Sequence, residues 1–327
     1  MCSPSAESRR AFVAPLDPAT YRRHAIHGDG RVWAETNCYT DLLVELVHAL
    51  GHEPVACLPF TLAIDFEGDQ WTFFKPAHAE LRALYGLDVQ ELAIWRPVLD
   101  HVVEQVQRGN PVLVELDSFH LPDTAGTAYG LTHAKTTVGV NEIDAGLRRM
   151  GYFHNAGYFV VQGDDFDRLF EAKGLPPYVE FVKRREGFEP PSGAALVAAS
   201  LELLRSNLAH VPQRNPFHAF RQRFEQDLAW LLQAPIDRFH AYSFATLRQY
   251  GACFELGETY LRWLGDHGIE GLAQPASALH DIAETAKTFQ FQLARSMARH
   301  KPLDLAPIDA MAARWDDAMG TLRQRFR

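Results

Sequence analysis

The sequence predicts an α+β protein in two parts, a mixed α/β domain over residues 1–190 and an all-helical domain over residues 191–327. In the first part, apolar residues alternate between helical spacing and short β-branched runs that are typical of strands. In the second part, apolar residues recur at helical spacing in segments that are separated by prolines or glycines. Residues 173–193 carry two proline pairs and are the predicted linker between the domains.

One helix is predicted to begin beside Cys38. The apolar stripe over residues 42–50 has helical spacing, and Gly51 follows it as a suitable C-cap. Thr36 and Asn37 are both residue types that favour the N-cap position. Cys38 is therefore expected at the N-terminus of an amphipathic helix.

The remaining elements of the first domain follow from β-branched content, brevity and turn residues. In chain order the sequence predicts a strand at 58–66, a helix at 97–108, strands at 112–116, 133–140 and 147–152, and a helix that opens at residue 164. Because Asp144-Ala145-Gly146 separates the last two strands, they are expected to form a hairpin.

Composition and charge exclude several classes of protein. The net charge of −9 and the pI near 5.9 argue against a general nucleic-acid binder, because phosphate binding needs a basic surface. No apolar run follows Met1, and no apolar stretch approaches the roughly 18 residues that cross a bilayer, so neither a signal peptide nor a membrane span is expected. The four cysteines have no framework spacing, which favours free thiols. We therefore expect a cytoplasmic protein.

Three residues with catalytic potential follow one another along the chain. Cys38 lies at a predicted helix N-terminus, His133 heads a predicted strand, and Asn155 follows the next strand. A helix N-terminus favours the reactive thiolate form of a cysteine. A nearby histidine serves as the base, and an amide orients that histidine in Cys-His-Asn enzymes. The chain order of thiol, histidine and asparagine is that of papain-like folds.

Other assignments remain open within this pattern. His120 and His154 are competing candidates for the base, and Asp144 competes with Asn155 for the third position. A metal site built from His120, Asp123 and His133 is a further alternative, although no HExxH or Cys/His ligand spacing supports it. There is also no phosphate-binding loop and no dinucleotide fingerprint, so the chain is expected to bind no cofactor itself.

Three segments of the chain carry a resemblance to a known family. Residues 35–39, 117–133 and 154–157 look like an uncharacterised proteobacterial family, which is similar in turn to butirosin biosynthesis protein H. That protein has a papain-like N-terminal domain followed by a helical region, so the resemblance covers most of the chain. It implies transfer of an acyl or aminoacyl group from the phosphopantetheine thioester of a carrier protein to a small-molecule amine.

The resemblance also implies roles for individual residues. Cys38 would be the nucleophile, His133 the base and Asn155 the orienting group. Many papain-like enzymes place a glutamine before the nucleophile to bind the oxyanion, and here no glutamine precedes Cys38. Asn37 or the backbone amide of Cys38 is expected to take that role. Asp117 ends a buried strand and is the second candidate for substrate binding.

Two further functions remain as alternatives to an acyltransferase. A cysteine peptidase or amidase would use the same residues with water as the acceptor. A catalytically inactive papain-like scaffold would bind a carrier protein or a regulatory partner. Phosphopantetheine is expected only on the carrier protein, and neither nucleic acid nor a membrane is an expected partner.

Overall fold

The computed structural model describes residues 9–10, 13, 16–171 and 174–326. Residues 1–5, on which the expectation of no signal peptide rests, lie outside this part of the chain. In the described part, no helix has the length and apolar character that crossing a membrane requires.

The chain forms two compact units, and it passes between them more than once. The first unit comprises Met1–His27, Asn37–Pro54 and His78–Pro190, and the second comprises Gly28–Thr36, Val55–Ala77 and Pro191–Arg327. The last passage occurs at residue 190, where the sequence predicts the domain boundary. Two earlier segments of the second unit, Gly28–Thr36 and Val55–Ala77, have no counterpart in the predicted division, which assigned all of residues 1–190 to one domain.

The first unit is built around an antiparallel sheet. Six strands follow the order β2-β7-β3-β4-β5-β6, and a short strand, β1, pairs with β4. The strands are β1 (Arg9–Arg10), β2 (Leu87–Glu91), β3 (Val112–Asp117), β4 (Lys135–Asp144), β5 (Arg149–His154), β6 (Gly157–Gln162) and β7 (Val179–Arg184). The predicted strands at 112–116 and 133–140 and the hairpin that follows correspond to β3, β4 and β5.

In the part of the first unit that the structure describes, four α-helices accompany this sheet. They are α1 (Cys38–Ala49), α2 (His78–Tyr85), α3 (Val98–Gln107) and α4 (Asp164–Phe170). The helix predicted beside Cys38 is α1, and Asn37 is its N-cap, because its side-chain oxygen accepts a hydrogen bond from the Thr40 amide at 2.9 Å.

The two faces of the sheet are covered by different helices. On one face, Leu42 of α1 lies over Gly139 of β4, where a Cβ atom would be 3.5 Å from Leu42 Cδ1. Successive side chains of a strand point to opposite faces, so Val138 and Val140 face the other way. They belong to a buried core with Val102 of α3 and Phe166 of α4. Apolar burial on both faces therefore fixes the sheet between α1 and the pair of helices α3 and α4.

Two predictions about secondary structure are wrong. Residues 58–66 contain a 3-10 helix, Pro59–Ala63, in place of the predicted strand. The predicted linker 173–193 contains β7, which lies inside the sheet between β2 and β3. Within this strand, Lys183 and Arg184 pair with Asp88 and Leu87 of β2.

The second unit is helical, as the sequence predicts. Its helices are α5 (Gly193–Leu208), α6 (Pro216–Leu231), α7 (Ile236–Ser243), a π-helical segment (Phe244–Arg248), α8 (Gln249–Asp266), α9 (Ala273–Arg299) and α10 (Ala306–Arg325). Trp71, from the inserted segment Val55–Ala77, packs against Tyr250 and Phe217 with ring centroids 4.8 and 5.1 Å away. This aromatic burial explains why the insertion belongs to the helical unit.

Candidate functional site

His133 is paired with an aspartate at one end of the sheet. Asp117 is the last residue of β3, and the register pairs it with Lys135, the first residue of β4. His133 precedes β4 by two residues, and its Nδ1 lies 2.6 Å from Asp117 Oδ2. An ionised carboxylate only accepts hydrogen bonds, so Nδ1 donates its proton and Nε2 of a neutral imidazole carries the lone pair. The pair therefore presents a base at Nε2, which makes no hydrogen bond to a described residue.

Asp117 remains charged in this arrangement. Desolvation acts to raise its pKa, but hydrogen bonds from His133 and from the Phe119 amide outweigh that effect and lower the pKa. The side chain of His133 is 68% exposed and that of Asp117 is 39% exposed, so the pair is accessible to a substrate. The ring of Phe119 stacks on the imidazole at a centroid distance of 4.3 Å and an angle of 12°. The imidazole is thus fixed by a hydrogen bond at its edge and by a ring on its face.

The loop that carries Phe119 is anchored by a buried group of polar side chains. Asp123 lies in this loop, and its carboxylate accepts hydrogen bonds from Tyr152 Oη and His154 Nδ1, both at 2.5 Å. The Thr136 hydroxyl completes the group at 2.7 Å from His154 Nε2. His154 and Tyr152 are almost fully buried, so both ring nitrogens of His154 are occupied inside the protein. We name these four side chains the Asp123 anchor.

Cys38 is the first residue of α1 and is partly exposed, whereas Cys57 and Cys253 are buried. Burial raises the pKa of the Cys253 thiol well above its ordinary value, which opposes thiolate formation there. Within the described residues, the Cys38 sulfur forms no hydrogen bond to an imidazole. Among the three described cysteines, Cys38 is therefore the most accessible to a reagent.

Helix α1 directs Cys38 toward the end of the sheet that bears the histidine–aspartate pair. Tyr39 Oη donates to Glu180 of β7 at 2.7 Å, and Glu180 lies opposite Leu113 of β3. Beyond the other end of α1, His52 lies near Arg184 of β7, and burial together with the charge of Arg184 lowers the pKa of His52. Because β3 and β7 are antiparallel, moving from residue 184 to residue 180 of β7 means moving toward the C-terminal end of β3.

The pair and α1 also share one face of the sheet. Gly139, which lies under Leu42, alternates in direction with its neighbours, so Lys135 has the same orientation as Gly139. Asp117 is paired with Lys135 and therefore shares that orientation. Cys38 lies one helical turn before Leu42, or about 6 Å along the axis. The thiol and the pair thus lie on the same face and toward the same end of the sheet.

A cavity of about 710 Å³ adjoins the pair. This volume is typical of sites for small organic ligands. The described part of its wall includes Asp117 and His133 but not Cys38. Apolar side chains from the core, among them Leu116 and Leu169, alternate in the wall with charged ones. The cavity is therefore suited to a ligand with apolar and polar parts, next to a base.

The other predicted residues have defined structural positions. Asn155 lies in the two-residue turn between β5 and β6, with φ of +45°. Asparagine tolerates this left-handed conformation better than most residues. In the described structure, the residue that accepts the hydrogen bond from His133 Nδ1 is Asp117, which the sequence assigned to substrate binding, and not Asn155. Asn37 caps α1 with its side-chain oxygen.

The sequence did not point to the buried charges that hold α1. His27 is 1% exposed, and its Nδ1 lies 2.5 Å from Glu45 and its Nε2 3.2 Å from Asp41, both residues of α1. Burial alone would lower the pKa of His27, but its hydrogen bonds to the two carboxylates raise the pKa to about 9. Tyr21 also donates to Glu45 at 2.5 Å. A charged histidine therefore ties the helix that begins at Cys38 to the preceding segment.

The structure also gives the positions of the residues in the alternative metal site and of the two competing histidines, His120 and His154. Among the described residues, no group of three His, Cys, Asp or Glu side chains is placed to hold a metal ion. Asp123, a member of the metal alternative, is bonded to His154 instead. His120 is buried and lines the cavity, with its ring 6.4 Å from that of His133. His120 and His133 thus border the same space, whereas His154 belongs to the Asp123 anchor.

Comparisons with known families cover both parts of the chain. Residues 22–184 match the DUF1839 N-terminal domain, and residues 193–324 match the DUF1839 C-terminal domain. The chain belongs to the DUF1839 family. No curated protein matches this DUF1839 chain. Neither family match connects it to butirosin biosynthesis protein H or to papain-like acyltransferases, so that resemblance stays a hypothesis.

Proposed function

We propose that this DUF1839 protein is an acyltransferase that moves an acyl or aminoacyl group from a carrier-protein thioester to an amine. The observation that supports this most strongly is the His133–Asp117 pair in the wall of the cavity. Its geometry leaves Nε2 of the imidazole available to accept a proton beside a space for a small ligand. Acyl transfer to an amine needs such a base, because the attacking nitrogen loses a proton as the new bond forms.

In the proposed reaction, Cys38 first attacks the carbonyl carbon of the thioester. A bond forms between Sγ and that carbon, the bond to the pantetheine sulfur breaks, and the thiol proton passes through His133 to the leaving thiolate. The amine then attacks the acyl-cysteine. The carbon–nitrogen bond forms, the bond to Sγ breaks, and the amine proton returns through His133 to Sγ. Asp117 holds the tautomer that makes both transfers possible.

A thioester is a good donor for this site, because it is more reactive than an amide and demands only modest activation of the thiol. The fold of the first unit, with Cys38 at a helix N-terminus against an antiparallel sheet, favours a papain-like arrangement. The Asp117 carboxylate would then replace the asparagine that orients the histidine in many papain-like enzymes.

A direct transfer is the second candidate, and the composition of the cavity wall favours it. Asp117 and His133 line the described wall while Cys38 does not. In that reaction the amine attacks the donor thioester directly, His133 accepts the amine proton, and the same proton goes to the leaving pantetheine sulfur. No bond to Cys38 forms.

Trapping of the acyl-enzyme separates the two candidates. The protein is incubated with an acyl thioester of N-acetylcysteamine, and intact mass and peptide mapping follow the acyl group. We expect a single acyl addition on Cys38, its loss in Cys38→Ala and its retention in the matched control Cys57→Ala. Activity in Cys38→Ala with no acyl addition would instead establish direct transfer.

The base is tested by measuring amide formation with an added amine. His133→Gln should lower the rate constant by about 10²–10⁴-fold, the usual contribution of a general base. Free acid as the only product, in the presence of amine, would identify a hydrolase. Unchanged rates in both His133→Gln and Cys38→Ala would refute the proposed site.

A further inference from the structure

The wall of the cavity beside the pair includes an arginine, Arg96, whose donors are only partly used by its ion pair with Glu104. Arg96 lines the cavity, and one of its terminal nitrogens donates to Glu104. Its Nε is buried and has no hydrogen-bond partner among the described residues. Burying a donor without a partner is unfavourable, so native proteins rarely leave one unless a ligand or water satisfies it. Arg96 therefore lines the cavity with hydrogen-bonding capacity that Glu104 does not use fully.

A second cation lies in the same wall. Arg168, near the end of α4, lines the cavity and forms no ion pair with a described residue. By contrast, Lys135 is paired with Glu115 at 2.5 Å, and Asp117 is paired with His133. The cavity wall thus combines two arginines that have unused donors with carboxylates that lie beside the proposed base.

Most of the remaining wall is apolar, although His120 and Glu171 also line it. Val98, Leu116, Leu169 and Phe170 contribute to it, and Leu116 and Leu169 belong to the buried core. A ligand that is charged or polar throughout would leave this apolar surface in contact with water, whereas covering it with an apolar group is favourable. The site is consequently suited to a ligand with an apolar body.

From these observations we infer that the cavity binds the acceptor of the reaction, and that the acceptor is an apolar amine that carries a carboxylate. The carboxylate lies against Arg96 and Arg168, because a guanidinium can donate hydrogen bonds to both oxygens of a carboxylate in one plane. The apolar body lies on the Leu116 and Leu169 side, and the amine lies beside Asp117 and His133. This inference rests on the proposed function for the fate of the amine, but the binding itself does not depend on Cys38.

Binding of matched probes tests the inference by isothermal titration calorimetry. L-leucine carries the amine, the carboxylate and an apolar body, 3-methylbutylamine lacks the carboxylate, and 4-methylpentanoate lacks the amine. We expect leucine to bind at least about tenfold more tightly than either analogue, because a hydrogen bond to a charged group is lost in each comparison. Equal binding of leucine and 3-methylbutylamine, or no binding of leucine, would overturn the inference.

Variants of two arginines supply the control. Arg96→Gln removes the guanidinium and its charge, and it should weaken leucine binding about tenfold or more, with little effect on 3-methylbutylamine. Arg96→Lys keeps a charge beside Glu104 but lacks the planar guanidinium, and it should weaken leucine binding as well. Arg108 also donates to Glu104 at 2.7 Å yet does not line the described cavity wall, so Arg108→Gln should leave binding unchanged. Equal losses in Arg96→Gln and Arg108→Gln would assign the effect to helix α3 and overturn the inference.

Two further measurements complete the test. The first distinguishes a carboxylate ligand from a phosphate ligand, and the second distinguishes failure of the inference from failure of the proposed function. O-phosphoethanolamine carries a phosphate in place of the carboxylate, and tighter binding of this probe than of leucine would overturn the carboxylate assignment. Leucine binding is also measured in Cys38→Ala and should be retained. If binding is retained and no amide forms in the wild type, the proposed function fails while the inference stands. If Cys38 becomes acylated and leucine does not bind, the inference fails alone.

Discussion

Removal of the Asp123 carboxylate should release the loop that supports His133. In Asp123→Ala, two buried donors lose their acceptor, Tyr152 Oη and His154 Nδ1. Each buried unsatisfied group costs about 1–3 kcal/mol, so we expect a loss of about 2–6 kcal/mol in the free energy of unfolding. Tyr152→Phe removes one of these hydrogen bonds without orphaning a donor, and it should cost about 0.5–1.5 kcal/mol.

The loss in Asp123→Ala is a large part of the 5–15 kcal/mol that stabilises a typical domain. Urea unfolding followed by circular dichroism measures it, but two units need not unfold together. Amide hydrogen exchange therefore locates the effect. The amide of Gly130, which donates to the Phe119 carbonyl at 3.0 Å inside the loop, should exchange faster in Asp123→Ala. Amides of α8, in the second unit, should be unaffected.

Asp144→Ala is the matched control for this experiment. Asp144 also accepts a hydrogen bond, from the Leu147 amide at 2.8 Å, but in an exposed turn. Its loss should cost well under half of the Asp123→Ala effect and should not change exchange in the loop. A cost below about 1 kcal/mol for Asp123→Ala, with unchanged exchange at Gly130, would refute the view that this carboxylate anchors the loop.

The remaining predictions concern helix α1 and its thiol. The pKa of His27 is about 9 in the folded protein, against an ordinary value of 6.5, so the stability gained from its protonation is complete below pH 6.5 and is lost as pH rises through about 9. The urea concentration at the midpoint of unfolding should therefore fall between pH 6.5 and about 9. His27→Gln should abolish this fall. Asn37→Ala should cost about 1 kcal/mol in thermal unfolding while Asn37→Asp costs little, since only alanine lacks the capping oxygen. Cys38 should react with iodoacetamide before Cys57 and Cys253, as peptide mapping will report, and equal rates would contradict its special exposure.

Local signals were sufficient to predict α1 and the strands around it. Asn37 carries an oxygen that satisfies a free amide of the first turn, and the apolar stripe of residues 42–50 needs a surface to cover it. The hairpin of β4 and β5 was equally predictable from the sequence, because its turn residues lie between two runs of β-branched or aromatic residues. In each of these places the preference of the residues agrees with the tertiary structure.

The wrong predictions arise where pairing or packing at a distance decides. The strand β7 follows Pro176-Pro177 and carries several charges, so its sequence resembles a linker, and only its neighbours β2 and β3 make it a strand. Residues 58–66 have the apolar content of a strand. Pro59 has no backbone N–H to donate to a neighbouring strand, and it begins the 3-10 helix Pro59–Ala63.

The candidate site shows the same division. Asp117 ends one predicted strand and His133 begins the next, so antiparallel pairing of the two would have brought them together, and this signal was available in the sequence. The third member was instead assigned to Asn155, from the order of thiol, histidine and asparagine along the chain and from the resemblance. The partner of His154 was beyond sequence reasoning, because Asp123 lies in an irregular loop 31 residues away.

The position of the proposed base depends on residues that never face the cavity. The loop from Ser118 to Thr132 contains only short 3-10 turns, and such turns have few hydrogen bonds of their own to resist motion. The Asp123 anchor fixes its middle to β4 and β5, and the Ser118 amide fixes its start by donating to the Ala134 carbonyl at 2.9 Å. Phe119 lies between these two fixed points and stacks on His133. A partly exposed imidazole can therefore keep one orientation because the loop beneath it is held by a buried carboxylate.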